Sequence, residues 1–433
     1  MPFLFRRLQW FEPIVAFNCM MLIFVLDVLY FALTGFPRAE HLLHGYFQVN
    51  ELSWPLMLYV AGWLFSFNIG YALWRKSDFS IDADKPLVRI EGDAYGKFLR
   101  LAVIACILIS VSNFIYNIWL FSPGDPLSYF IDFGVARYRQ QVNDGWFTTL
   151  GYNFFIVGII LYRLTIRKWG WGNFISYISF ILCSLLAFVS KGQIFFTFSV
   201  VIFLYVLECF VSSRRRQVIL FGGVLVPVLV AVVLLSYLLR VVSVDYYLAM
   251  EQGLDINVWS LLWDKLDVLS YLIFGKGNVP NLPAMFVYWD SYGSVDDYLN
   301  GQSMFSWLYG FLPDLGFTFL GYHIRDLWYP NHVGGIPPGV ILEFYANFGV
   351  LLSVGSAMVF GAIASWVFNA FMERRTVVFC VLYSALLVRF WFILPKLEMA
   401  ALSSALWLSL PTVCALKLIS VANEFYRKKL GSA

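Results

Sequence analysis

Ten stretches of this 433-residue chain are apolar for close to the length of a membrane-spanning helix, at 12–35, 52–74, 98–121, 146–166, 174–190, 194–211, 218–242, 340–368, 376–395 and 401–423. Crossing the hydrocarbon of a bilayer takes about 20 mostly apolar residues at 1.5 Å of rise each. Only 13% of the residues are charged, whereas a soluble domain carries about 25%. Hydrophobic residues make up 60% of the chain and the mean hydropathy is +0.73. Lipid is therefore the expected solvent. In lipid a backbone must satisfy its own hydrogen bonds, which leaves helices or closed barrels. Segments this long select helices. The expected fold is an all-α polytopic membrane protein of about ten transmembrane helices, with a large outer loop of amphipathic helices.

Arg6 and Arg7 precede the first apolar run, and no small-residue cleavage site follows it. That run is read as a first helix and not as a removed signal peptide. The positive-inside rule sets the orientation. With the N-terminus inside, the inner segments collect Arg75, Lys76, Lys85, Arg89, Lys97, Arg163, Arg167, Lys168, the run Arg214-Arg215-Arg216, Arg374, Arg375, Arg427, Lys428 and Lys429. No outer loop has a basic run. Both termini are expected inside, which requires an even number of helices. Three regions follow: helices one to seven over 1–242, a large outer loop over 243–339, and helices eight to ten over 340–433. Segments 174–190 and 194–211 are short and meet through Ser190-Lys191-Gly192-Gln193, a tight outer turn. The eighth helix is expected to break near Asn347-Phe348-Gly349.

The large loop holds Trp259, Trp263, Trp289, Trp307 and Trp328 and apolar runs too short to span. Within it, Val258–Phe274 carries Asp264, Lys265, Asp267 and Ser270 among leucines and aromatics, the pattern of an amphipathic helix lying on the bilayer or capping the bundle. Aromatic faces stack on sugar rings, and Trp and Tyr also form interfacial belts; both uses stay open for this loop. A loop this long in a compact protein is usually functional.

Several classes are disfavoured. A net charge of +3 is too small to point to a nucleic-acid partner. All six cysteines fall in apolar segments without zinc-ligand spacing, so they read as small buried hydrophobes and not as a disulfide or metal framework. HExxH, P-loop and GxSxG motifs are missing, and no metal or cofactor is expected.

Chemistry is expected from cations on the outer side. Arg137, Arg139, Lys191, Arg240, Arg325, Arg389 and Lys396 all break the orientation rule. Arg389 lies well inside the ninth apolar segment, and an intramembrane arginine marks a functional site by default. Cations at this level suit a diphosphate at the lipid surface, which arginine grips with a bidentate fork. Headgroup snorkelling and structural ion pairs are the competing uses. A second group begins at Asn331-His332-Val333-Gly334-Gly335-Ile336-Pro337-Pro338-Gly339 and runs into the eighth helix. His332 is of the residue type that most often acts as general base near neutral pH. Glu343, an isolated carboxylate one turn past Gly339, serves either as a second base or as a structural partner of an arginine.

The chain resembles the O-antigen polymerase (Wzy) family, the oligosaccharide repeat-unit polymerases, within a GT-C-like superfamily. The resemblance covers most of the chain as topology and 310–350 as sequence. It rests on Phe311-Leu312-Pro313, on Asn331-His332 through Pro338, and on Glu343-Phe344-Tyr345-Ala346-Asn347-Phe348-Gly349, which is similar to a Glu-x-Tyr-x-Asn-Phe-Gly pattern. Ser190-Lys191-Gly192 resembles the family's small-residue, glycine and basic turn, where the family more often has arginine. The resemblance implies a glycosyltransferase of the bacterial inner membrane with its site facing the periplasm. It would move a growing glycan from undecaprenyl diphosphate onto the sugar of an incoming lipid-linked repeat unit, in lipopolysaccharide or related surface-polysaccharide synthesis. Donor, acceptor and membrane lipids are the implied partners, and a chain-length regulator is admitted. In this frame Arg240, Arg325 and Arg389 hold diphosphates, with Arg137, Arg139 and Lys191 behind them. His332 is the acceptor base, and Glu343 orients or replaces it. An O-antigen ligase shares the topology. A transporter is the rival of another class, and an envelope acyltransferase is a third.

Overall fold

The computed structural model describes residues 12–22, 54–76, 95–121, 145–166, 171–187, 194–211, 222–224, 227, 289, 292–293, 297–312, 316, 318–328, 339–374, 376–392, 394–395 and 398–431. Helix is the only extended regular element among them. In chain order the helices are α1 (Pro13–Leu22), α2 (Trp54–Trp74), α3 (Tyr95–Phe121), α4 (Gly145–Thr165), α5 (Trp171–Ala187) and α6 (Ile194–Val211). A 3-10 helix (Ser303–Gly310) and a short helix α7 (Leu320–Trp328) follow. The chain ends with α8 (Val340–Arg374), α9 (Val377–Leu386) with a π-turn at Leu387–Trp391, and α10 (Ala401–Gly431).

Four stretches of described helix are long and apolar enough to cross a membrane: Trp54–Trp74, Phe98–Leu120, Val340–Arg374 and Ala401–Phe425. They expose large apolar side chains that water would not tolerate in such density; Leu351 is 87% exposed and Leu108 62%. The chain is a membrane protein. Most of the seventh apolar segment, 218–242, and all of the amphipathic stretch Val258–Phe274 lie outside the described residues. Cys106 and Cys380 are buried as expected, but Cys19 and Cys414 are exposed, since a small apolar thiol can also occupy the outward face of an apolar helix.

The chain forms two compact units. In the first, α2 packs along α8. Gly70 and Gly361 bring their backbones together. A Cβ on Gly70 would lie 1.9 Å from the Met358 carbonyl oxygen, and one on Gly361 2.0 Å from that of Phe67. Membrane helices associate through such close van der Waals packing, because lipid supplies no hydrophobic drive between them. Around this crossing Phe17, Trp63, Phe67, Phe344, Phe360 and Trp391 form one aromatic cluster. These six rings belong to the core. Beyond the C-terminal end of α2, the Arg75 guanidinium donates to both carboxylate oxygens of Glu12, and Tyr71 donates to the same group at 2.7 Å. Asn369 of α8 donates to the Trp74 carbonyl and accepts the Lys76 amide, which closes the helix end.

In the second unit α3 packs along α4, and α4 meets α5. Its core holds the ion pair between Arg163 of α4 and Glu208 of α6, 5% and 1% exposed. Burying two charges is tolerable when each finds the other and hydrogen bonds complete the geometry; Arg163 also donates to the Ile166 carbonyl.

Candidate functional site

The site lies in the first unit, at the N-terminal end of α8. That helix breaks at Gly349, whose φ of 67° and ψ of −172° belong to a region open essentially to glycine alone. A break leaves backbone carbonyls in need of donors, and in an apolar setting each must find one. The Ala346 and Asn347 carbonyls accept the amides of Leu299 at 2.9 Å and Asn300 at 3.1 Å. A tight turn through Asn300 (φ 50°) and Gly301 (φ 89°) then delivers the Gly301 amide to Asn347 Oδ1 at 2.9 Å. The segment 297–302 is therefore fastened onto the break, and it leads directly into the 3-10 helix.

Glu343 lies one and a half turns before the break and has no exposed surface. Its Oε1 accepts the Ser303 hydroxyl at 2.9 Å, and its Oε2 accepts the Met399 amide at 2.6 Å. Asn347, one turn further along α8, donates its side-chain amide to Ser303 Oγ and to the Glu343 carbonyl, each at 2.7 Å. Ser303 receives from Asn347 and gives its one proton to Glu343. Three separate parts of the chain meet on this carboxylate. Its arrangement suits it to hold other groups in place.

A second carboxylate stands beside it. Glu398 is 8% exposed and precedes the residue whose amide holds Glu343. Its Oε2 accepts the Gly321 amide at 3.2 Å, and the Leu320 amide also contributes. Burial raises its carboxyl to about 7, against the opposing pull of those two amides. The charge of Glu398 also acts on Glu343.

Aromatic side chains surround the break. Tyr345 stacks on Trp289 with ring centroids 4.7 Å apart, and its hydroxyl donates toward the Trp289 and Tyr292 carbonyls at 3.2 and 3.1 Å. Tyr59 of α2 lies 5.5 Å from both rings and donates to the Ile341 carbonyl at 2.7 Å. Tyr298 meets Tyr345 edge-on and packs on the open side of Gly349.

Of the cations singled out in the sequence, two are described. Arg325 on α7 pairs with the carboxylate of Asp326 and lies 4.9 Å over the Tyr322 ring. Arg389 is 4% exposed and sits in the π-turn, whose widened register is closed by the Phe392 amide on the Leu387 carbonyl at 2.9 Å. Such turns recur at functional sites. His323 of α7 lies 6.3 Å from the Tyr292 ring. His332, Arg240, Arg137, Arg139, Lys191 and Lys396 lie outside the described residues. Among the described residues no cluster of three His, Cys, Asp or Glu side chains is placed to hold a metal ion.

Glu343 stands out in the sequence, but its partners do not. Asn347 has a usable signal, since a polar residue four positions on in a helix lies on the same face. Ser303 and Glu398 have none, for their closeness to Glu343 is purely tertiary. No family model, curated protein or solved structure matches the chain.

Proposed function

We propose that this protein polymerises lipid-linked oligosaccharide repeat units at the periplasmic face of a bacterial inner membrane, through about ten spans with both termini in the cytoplasm. The donor is a glycan on undecaprenyl diphosphate, and the acceptor is a sugar hydroxyl of a second lipid-linked unit. The observation that carries this reading is the division of labour within Glu343–Gly349. Glu343 gathers Ser303 and the Met399 amide. Tyr345 orders Trp289 and Tyr292. Asn347 binds the 297–303 segment, and Gly349 makes the break. These four positions are among those on which the family resemblance rests, and each has a distinct structural task around the break in α8.

In this reaction the leaving group is a lipid diphosphate. Arg240, Arg325 and Arg389 hold it, with Arg137, Arg139 and Lys191 in support. Preorganised cations act most strongly where water is excluded. His332 takes the acceptor proton, an assistance usually about 10²–10⁴-fold. Glu343, with both oxygens engaged, acts as a positioning residue more readily than as the base.

The test is polymer length in cells carrying His332→Ala at unchanged protein level. Short chains or single units are expected; normal ladders would remove His332 from the mechanism. A ligase has the same parts and a different acceptor. A strain lacking the protein that shows one repeat unit on lipid A core supports polymerase, and one with bare core supports ligase. The break at Gly349 favours one further reading, since transporters place broken helices at their binding sites. Flipping or uptake in proteoliposomes without glycan growth would select it.

A further inference from the structure

Helix α7 begins without a cap of its own. The residue before it is Phe319, whose carbonyl accepts the His323 amide but whose side chain has no oxygen to offer. The first amides of a helix have no partner within it, and a buried amide needs one. Leu320 and Ile324 are fully buried, so this end of α7 is not open to water. Glu398, 77 positions away, supplies the missing acceptor for Gly321. A carboxylate is also the favoured partner for the positive end of a helix dipole.

The next residue extends the link. The amide of Met399 is held by Glu343 Oε2 at 2.6 Å. Residues 398–399 therefore tie α7, which carries His323 and Arg325, to the cluster of Glu343 and Asn347 on α8 with Ser303 of the 3-10 helix. The geometry points to Glu398 as the positioning residue of this site: it fixes the N-terminus of α7, and so the placement of Arg325, relative to Glu343. This rests on the proposed role of Arg325, but the linkage itself can be measured without any activity.

Exchange of backbone amides in the purified full chain, held in nanodiscs, is the direct readout. Glu398→Ala removes the acceptor, whereas Glu398→Gln keeps an oxygen for Gly321. At pH 6 we expect Glu398→Ala to speed exchange at least fivefold over 320–328 and over 340–347, with 54–74 unchanged, and Glu398→Gln to stay near the parent. Unchanged exchange over 320–328 in Glu398→Ala overturns the assignment, as does faster exchange confined to 398–401. If Glu398→Ala does not fold, the Gln variant decides by pH. Glu343 is the titratable group facing Glu398, and from α7 it meets the Leu320 and Gly321 amides. After correction for intrinsic rates, protection of 320–328 should change at least twofold between pH 6 and 8 in the parent and not in Glu398→Gln, which retains His323. Identical profiles overturn the assignment. Protection that behaves as expected in a protein that makes no polymer supports the positioning role and removes only the polymerase reading.

Discussion

Ser303 and Glu343, forty positions apart, share a buried hydrogen bond of 2.9 Å that joins the 3-10 helix to the N-terminal part of α8. Ser303 also receives the Asn347 amide. Deleting its hydroxyl leaves one acceptor and one donor without their partner in the interior, at a cost of about 1–3 kcal/mol. Ser303→Ala should lower the unfolding temperature in detergent and shorten the polymer. Ser303→Thr, which keeps the hydroxyl, should retain more of both.

Three glycines of α8 separate backbone strain from crowding. Gly361→Ala forces a Cβ onto the Phe67 carbonyl and should destabilise by about 3 kcal/mol or more, because backbone cannot give way as a side chain can. Gly349→Ala meets a positive φ and the Tyr298 ring at 3.2 Å, for about 1–3 kcal/mol. Gly355 has open space around its Cβ position; Gly355→Ala should be neutral or stabilising by up to about 1 kcal/mol. Thermal unfolding of the three variants in one detergent gives the ranking.

The Glu398 carboxyl is raised by burial from 4.5 to about 7. The folded chain therefore binds this proton more tightly than the unfolded chain. Between pH 4.5 and 7 stability falls as pH rises, and then levels off. Glu398→Gln should flatten that slope and be the more stable protein at pH 8. An unfolding series from pH 5 to 8 measures both; a parent slope retained in Glu398→Gln would assign the titration elsewhere.

Arg325 is occupied by Asp326, and that carboxylate is 62% exposed. An exposed pair is worth up to about 1 kcal/mol, so its removal frees the guanidinium at little cost to the fold. Asp326→Asn should tighten binding of undecaprenyl diphosphate, by about two- to fivefold, and Arg325→Ala should weaken it. Titration in nanodiscs reads both; unchanged affinity in each would take Arg325 out of the proposed diphosphate site.

The break in α8 is legible in the amino-acid order alone, because Asn347-Phe348-Gly349 interrupts a helical run with the one residue that adopts positive φ freely. The same is true of Glu343, a lone carboxylate in an apolar helix. That both oxygens of Glu343 are taken is not legible there. Its partners come from residues 303 and 399, and no periodicity connects them to 343. The role of an aromatic residue is also ambiguous in sequence. A ring in the core, on a sugar or at a membrane interface has the same composition, and only packing distinguishes Trp63 and Phe67, fully buried, from Tyr322, 45% exposed.

By itself the sequence determined the solvent. Apolar runs of spanning length with so few charges leave a backbone in lipid, and there only regular hydrogen bonding survives, so helices and a membrane follow. Tertiary structure decided which of the scarce polar groups meet. In an apolar interior each buried donor or acceptor must find a partner, wherever in the chain that partner lies. Ser303, Glu343, Asn347, Glu398 and the amides of Gly321 and Met399 satisfy one another across distant parts of the chain only because the fold brings them together.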